Sequence, residues 1–134
     1  MAPFHQSFGE LRNVTAIYLS FNTLVDLMLR WSALLVQLQV LFLSNNHLGG
    51  SIPAKIGQIL TKTEKLDLSS NALTGTVSKA LLCINYLTYY LDVSNNSLSG
   101  QIPFSCPNEK ESLSSLVLFN GSSNHFSGNL PRKE

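Results

Sequence analysis

The chain has 134 residues, 44% of them apolar and only 13% charged, with a formal net charge of +1. That length and apolar content suit one domain, or part of one, with a real core, and exclude wholesale disorder. The charge balance offers no basic field for nucleic acid, and no apolar run approaches the roughly 20 residues of a membrane-spanning helix.

The opening stretch MAPFHQSFGELRN lacks an apolar core of the secretory kind, so no signal peptide is expected in this chain. From Leu11 a phrase begins that sets the rest of the sequence. Apolar residues stand at Leu11, Val14, Ile17 and Leu19, and the phrase IYLSFNTL closes on Asn22. In the segment that follows, Asp26 and Leu29 stand where later copies carry glycine and proline, so an irregular turn is expected, with Trp31 packed behind it. The second copy repeats the offsets at Leu35, Leu38, Leu41, Leu43 and Asn46, then continues HLGGSIPAKIG. The third reads KLDLSSNALTGTVSKALL around Asn71, and the fourth LDVSNNSLSGQIPFSC around Asn96. One extra residue between Leu87 and Leu91 predicts a bulge before the fourth strand, and FSCPNEKESLSS predicts a loop after it. The fifth copy, FNGSSNHFSGNLP around Asn124, has Gly121 at an inward position usually held by leucine or valine, so a thin spot in the core is expected there.

The five asparagines fall 24, 25, 25 and 28 residues apart. Shared offsets at that period match the pattern L-x-x-L-x-L-x-x-N-x-L and identify a leucine-rich repeat. The predicted fold is an α/β-type right-handed solenoid over residues 1–134. Its concave face carries a short-stranded parallel sheet and its convex side is irregular or 3-10, with about five repeats and no complete caps. Inward leucines of one coil are buried only against the next coil. Past each strand the chain turns while still buried, and its backbone groups need partners. An asparagine amide supplies a donor and an acceptor together. Asn22, Asn46, Asn71, Asn96 and Asn124 are therefore expected to form a structural ladder. Incomplete caps would leave apolar surface at the ends and a route to self-association.

Downstream of Asn46, Asn71, Asn96 and Asn124 the stretches HLGGSIPAKIG, ALTGTVSKALL, SLSGQIPFSC and HFSGNLP share all or most of the element L-x-G-x-(I/V/L)-P, with glycine for a positive φ or a close approach and proline to stop pairing. The motif resembles the plant extracellular class of leucine-rich repeats found in receptor-like kinases, receptor-like proteins and polygalacturonase inhibitors. From about Phe8 onward the chain is similar to a middle section of the ectodomain of anther receptor kinases of the multiple-sporocyte and excess-microsporocytes type. That resemblance implies an extracellular module at the plasma membrane, a protein or peptide ligand such as a small secreted cysteine-rich protein, and a co-receptor. This chain carries no kinase motif, so signalling belongs to a longer relative or to a complex. The same resemblance leaves open a stand-alone apoplastic binder, of the polygalacturonase-inhibitor or ice-binding kind.

Alternation along the strands places Ala16, Tyr18, Ser20; Val40, Phe42, Ser44; Lys65, Asp67, Ser69; Tyr90, Asp92, Ser94; and Leu118, Asn120, Ser122 on the concave face. Tyr18, Phe42 and Tyr90 are aromatics of the type that anchors interfaces, with Lys65, Asp67 and Asp92 as polar contacts. Asp67 and Asp92 have a second reading, as locally bonded members of the repeated phrase. Cys83 and Cys106 lie about one repeat apart, which leaves both a disulfide and buried thiols open. N-glycosylation sequons stand at Asn13, Asn95 and Asn120, the last on the concave face. His5, His47 and His125 fall at surface or turn positions. No nucleophile–base arrangement stands out, so neither enzymatic activity nor a cofactor or metal is expected.

Overall fold

The computed structural model describes residues 13–26, 35–82, 90–103 and 117–129. Strands β1 (Ala16–Tyr18), β2 (Val40–Phe42), β4 (Lys65–Asp67), β6 (Tyr90–Asp92) and β8 (Leu118–Asn120) form one sheet in the order β1-β2-β4-β6-β8. All its pairings are parallel. Equivalent residues face one another, Ile17 to Leu41 to Leu66 to Leu91 to Phe119. Successive strands of one sheet therefore come from successive repeats, the topology of a solenoid.

A second parallel sheet contains β3 (Gly49–Ser51), β5 (Ala72–Thr76), β7 (Ser97–Gln101) and β9 (His125–Ser127). It occupies the L-x-G-x-(I/V/L) segment, where the sequence points only to a turn. One residue in each of β5, β7 and β9 turns inward, Leu73, Leu98 and Phe126, and the neighbouring small residues let the backbones pair. Gly75 and Gly100 have φ of 79° and 78°, and a Cβ on Gly100 would lie 2.9 Å from the Thr76 side chain. Both reasons for glycine, conformation and closeness, apply there. On the far side of the coils, α1 (Ile56–Ile59) and α2 (Lys79–Leu82) are single helical turns set in irregular chain, with 3-10-type bonds from the Ile56, Gln58 and Leu81 amides.

Between these layers the leucine rows are stacked. Leu38, Leu48, Leu66, Leu68, Leu73, Leu81, Leu91 and Leu98 are fully buried. Each such side chain contributes about 1.5–3 kcal/mol relative to exposure, and none would be buried by its own coil alone. Thr63 stands in the column of Leu38 and is equally buried. Its hydroxyl donates to the Leu38 carbonyl at 3.2 Å, which satisfies the polar group. A void of about 10 Å³ lined by Leu35, Leu41, Leu43, Ile56, Leu60, Leu66 and Leu68 is wholly apolar and barely water-sized, too small for a ligand.

The asparagines do join the coils, although each amide bonds to backbone rather than to another asparagine. Asn71 Nδ2 donates to Leu68 and Ser69 carbonyls in its own coil and to Leu43 in the preceding one, at 3.0–3.1 Å. Its Oδ1 accepts from the Leu48 amide at 3.0 Å. Asn46, Asn96 and Asn124 repeat this arrangement. Asn22 differs: it is exposed, and among the described residues it bonds only to Leu19 and Ser20 of its own coil.

The predicted thin spot at Gly121 is filled. A Cβ there would meet Phe119 at 2.9 Å and Phe126 at 3.2 Å. Phenylalanine replaces the usual leucine at both positions, and the two rings take the volume that the glycine vacates.

Candidate functional site

The five-stranded sheet presents two columns of side chains before its serines. Strand register aligns Ala16, Val40, Lys65, Tyr90 and Leu118 in the first, and Tyr18, Phe42, Asp67, Asp92 and Asn120 in the second. All six candidate ligand-binding residues therefore share one face. Tyr18 is 66% exposed and its ring meets Phe42 edge-on, with centroids 5.2 Å apart at 84°. Phe42 and Tyr90 belong to coils separated by two strand spacings, about 9.6 Å. Their centroids are nevertheless only 6.1 Å apart, so the rings lean together above the third coil. The result is a continuous aromatic run across four strands. Leu118, in register with Tyr90 and 44% exposed, extends it to the fifth.

The acids of this face are tied into the backbone. Asp67 Oδ1 accepts from the Ser69 amide at 2.9 Å and hydroxyl at 2.6 Å, and Asp92 Oδ1 accepts from the Ser94 amide and hydroxyl at the same distances. Asn120 accepts the equivalent pair from Ser122 at 3.1 and 2.8 Å. The local reading of the aspartates thus holds for one oxygen of each, although Asp92, at 8% exposure, is buried rather than solvated. Its second oxygen accepts from the Tyr90 hydroxyl at 3.0 Å. Burial is the largest cause that pushes the Tyr90 phenol up to about 12, followed by that hydrogen bond and by the charges of Asp67 and Asp92.

The serine column is occupied with this work. Ser44, Ser69 and Ser94 are buried, and Ser44 donates to the Ser20 hydroxyl at 2.8 Å. The column does not offer the exposed hydroxyl array that an ice-binding reading of this face requires. Exposed hydroxyls stand instead on the second sheet, where Ser51, Thr74 and Ser97 align across three coils.

Among the sequons, Asn13 and Asn95 are exposed, while Asn120 is half-buried and hydrogen-bonded on the concave face. Cys83, Cys106, Trp31 and His5, together with the bulge and the long loop, lie outside the described residues. His47 and His125 are exposed. Sequence reasoning missed Phe21, which is 80% exposed with φ of 60°. Asn45, Ser70, Asn95 and Ser123 hold that left-handed turn position in the other coils. Its signal was available, since polar residues that tolerate this conformation occupy every other copy. No helix among the described residues is long and apolar enough to cross a membrane.

Comparison with known proteins adds four findings. A family model described as Leucine Rich Repeat matches residues 37–59 and 88–108. The rice leucine-rich repeat receptor protein kinase MSP1 (Oryza sativa subsp. japonica) is 69% identical over 84 residues, 63% of this chain and 6% of that protein. The Arabidopsis receptor kinase HAESA, solved in complex with the peptide hormone IDA and the co-receptor SERK1, superposes with a TM-score of 0.77 at 30% identity. That match covers 95% of this chain and 20% of HAESA. A plant ice-binding protein superposes at 0.73 and 28% identity over 88% of this chain and 36% of its own. The chain spans only a small part of these proteins.

Proposed function

We propose that this chain, a leucine-rich repeat solenoid similar to plant receptor ectodomains, is a protein-interaction module. It recognises a secreted peptide or small cysteine-rich protein through its concave face, with a co-receptor as second partner, on the outer side of the plasma membrane. The observation that carries this reading is the aromatic run Tyr18–Phe42–Tyr90, continued by Leu118 across coils that are joined by their asparagine rungs. Pre-ordered aromatic side chains lose little entropy on binding and supply most of an interface's free energy. The reading gives the chain no chemistry of its own.

Calorimetry with small secreted cysteine-rich proteins as titrants tests it. Tyr18→Ala and Phe42→Ala are each expected to weaken binding by about 2 kcal/mol, near thirtyfold. Normal affinity in both would defeat the proposal. A second reading, ice binding, is favoured by the exposed Ser51–Thr74–Ser97 row of the other sheet and by the likeness to a plant ice-binding protein. Ice-recrystallisation inhibition that is lost in Thr74→Lys but kept in Tyr18→Ala would support it over the first.

A further inference from the structure

Asp67 lies in the middle of the sheet, in register with Phe42 on one side and Asp92 on the other. Its Oδ1 holds the Ser69 amide and hydroxyl, whereas its Oδ2 accepts no hydrogen bond from any described residue. Asp92 differs. Both its oxygens are engaged, Oδ1 by Ser94 and Oδ2 by Tyr90 at 3.0 Å and the Asn120 amide at 3.5 Å. One carboxylate is saturated, and its neighbour has an oxygen that no described residue engages.

The surroundings of that oxygen are mainly electron-rich. Aromatic faces carry the negative end of the ring quadrupole. Phe42 and Tyr90 approach each other above this coil, and Tyr18 backs Phe42. Lys65 is the one cation in the two columns, against two carboxylates. Half out of water, Asp67 feels these charges more strongly than a solvated side chain would.

We propose that the concave face takes a basic side chain, arginine ahead of lysine, from an extended segment of the partner, its cation against Asp67 Oδ2 and over the rings of Phe42 and Tyr90. Arginine is preferred because a planar guanidinium can meet a carboxylate and stack on a ring at once. This inference rests on the reading of the concave face as the binding surface, and adds the chemistry of what binds.

Asp67→Asn is the decisive variant because the fold already tolerates it. In the fifth coil Asn120 occupies the same column and makes the same two bonds to its serine. The probe is a random heptapeptide pool displayed on phage, panned on the folded chain and on Asp67→Asn, Tyr18→Ala and Phe42→Ala, with circular dichroism melts confirming that each is folded. Peptides retained by the parent chain are expected to be enriched in arginine and lysine. On Asp67→Asn that excess disappears, and basic peptides lose about tenfold in affinity. Retention that depends on Tyr18 and Phe42 without a basic excess overturns the inference and leaves the concave reading standing. Retention indifferent to both aromatics overturns both. An absence of retained peptides also overturns the inference.

Discussion

Replacing Asn96 with alanine removes four hydrogen bonds, yet the loss is concentrated at one atom. The Asn96 amide donates to the carbonyls of Leu68, Val93 and Ser94 at 3.0–3.1 Å. Each of these keeps another donor: Asn71 for Leu68, Asn124 for Val93 and the Ser70 amide for Ser94. The Leu73 amide has no such reserve. It donates to Asn96 Oδ1 at 3.0 Å beside a fully buried side chain. An orphaned buried amide costs about 1–3 kcal/mol, and the three weakened carbonyls with the vacated volume add roughly 1 more. Asn96→Ala is therefore expected to destabilise by about 3 kcal/mol, and Asn22→Ala by less than about 1, since water replaces the bonds of an exposed amide. Urea unfolding followed by circular dichroism measures the difference, provided the slope with denaturant is unchanged between variants. Native-state hydrogen exchange should show the Leu73 amide losing protection selectively. Equal costs for the two substitutions, or a Leu73 amide that stays protected, would refute the reasoning.

Other consequences follow from particular atoms. Ser78 has a buried hydroxyl without a partner among the described residues, at the position where Pro53 and Pro103 stand in neighbouring coils. Ser78→Pro is expected to stabilise by about 1 kcal/mol, read as a raised urea midpoint. Gly121→Ala should cost about 1–3 kcal/mol by overpacking against Phe119 and Phe126, and Phe126→Leu in the same chain should recover part of it, seen in thermal melts. Tyr90 should titrate near 12, visible in the ultraviolet absorbance of its phenolate, and Asp92→Asn should lower that value. Its folded pKa is raised above the ordinary 10, so the unfolded chain releases the proton first. The stabilising contribution is full below pH 10 and is lost as pH rises toward 12; Tyr90→Phe should flatten that decline.

Much of the architecture is legible in the sequence because the repeat samples the same physics five times. Offsets of the leucines and asparagines locate the strands, and a two-residue alternation assigns Tyr18, Phe42 and Asp67 to one face. Other features escape because they are not periodic or not apolar. The second sheet is built from Gly, Ser and Thr with one inward residue per strand in β5, β7 and β9, a weak strand signal until coils are stacked. Thr63 hides in a leucine column because its hydroxyl finds a carbonyl that only the preceding coil supplies. Compensation at Gly121 depends on the rings of two residues from different parts of the repeat. The open oxygen of Asp67 is invisible in sequence, since Asp92 sits in the same phrase and differs only because Tyr90 and Asn120 reach it.

Hydroxyl-radical footprinting of the chain bound to its secreted partner tests most directly where that partner sits. The account predicts that Tyr18, Phe42 and Tyr90 become protected while His125 and Phe126, on the second sheet, keep their reactivity. Protection confined to β5, β7 and β9, with the concave aromatics as reactive as in the free chain, would contradict it.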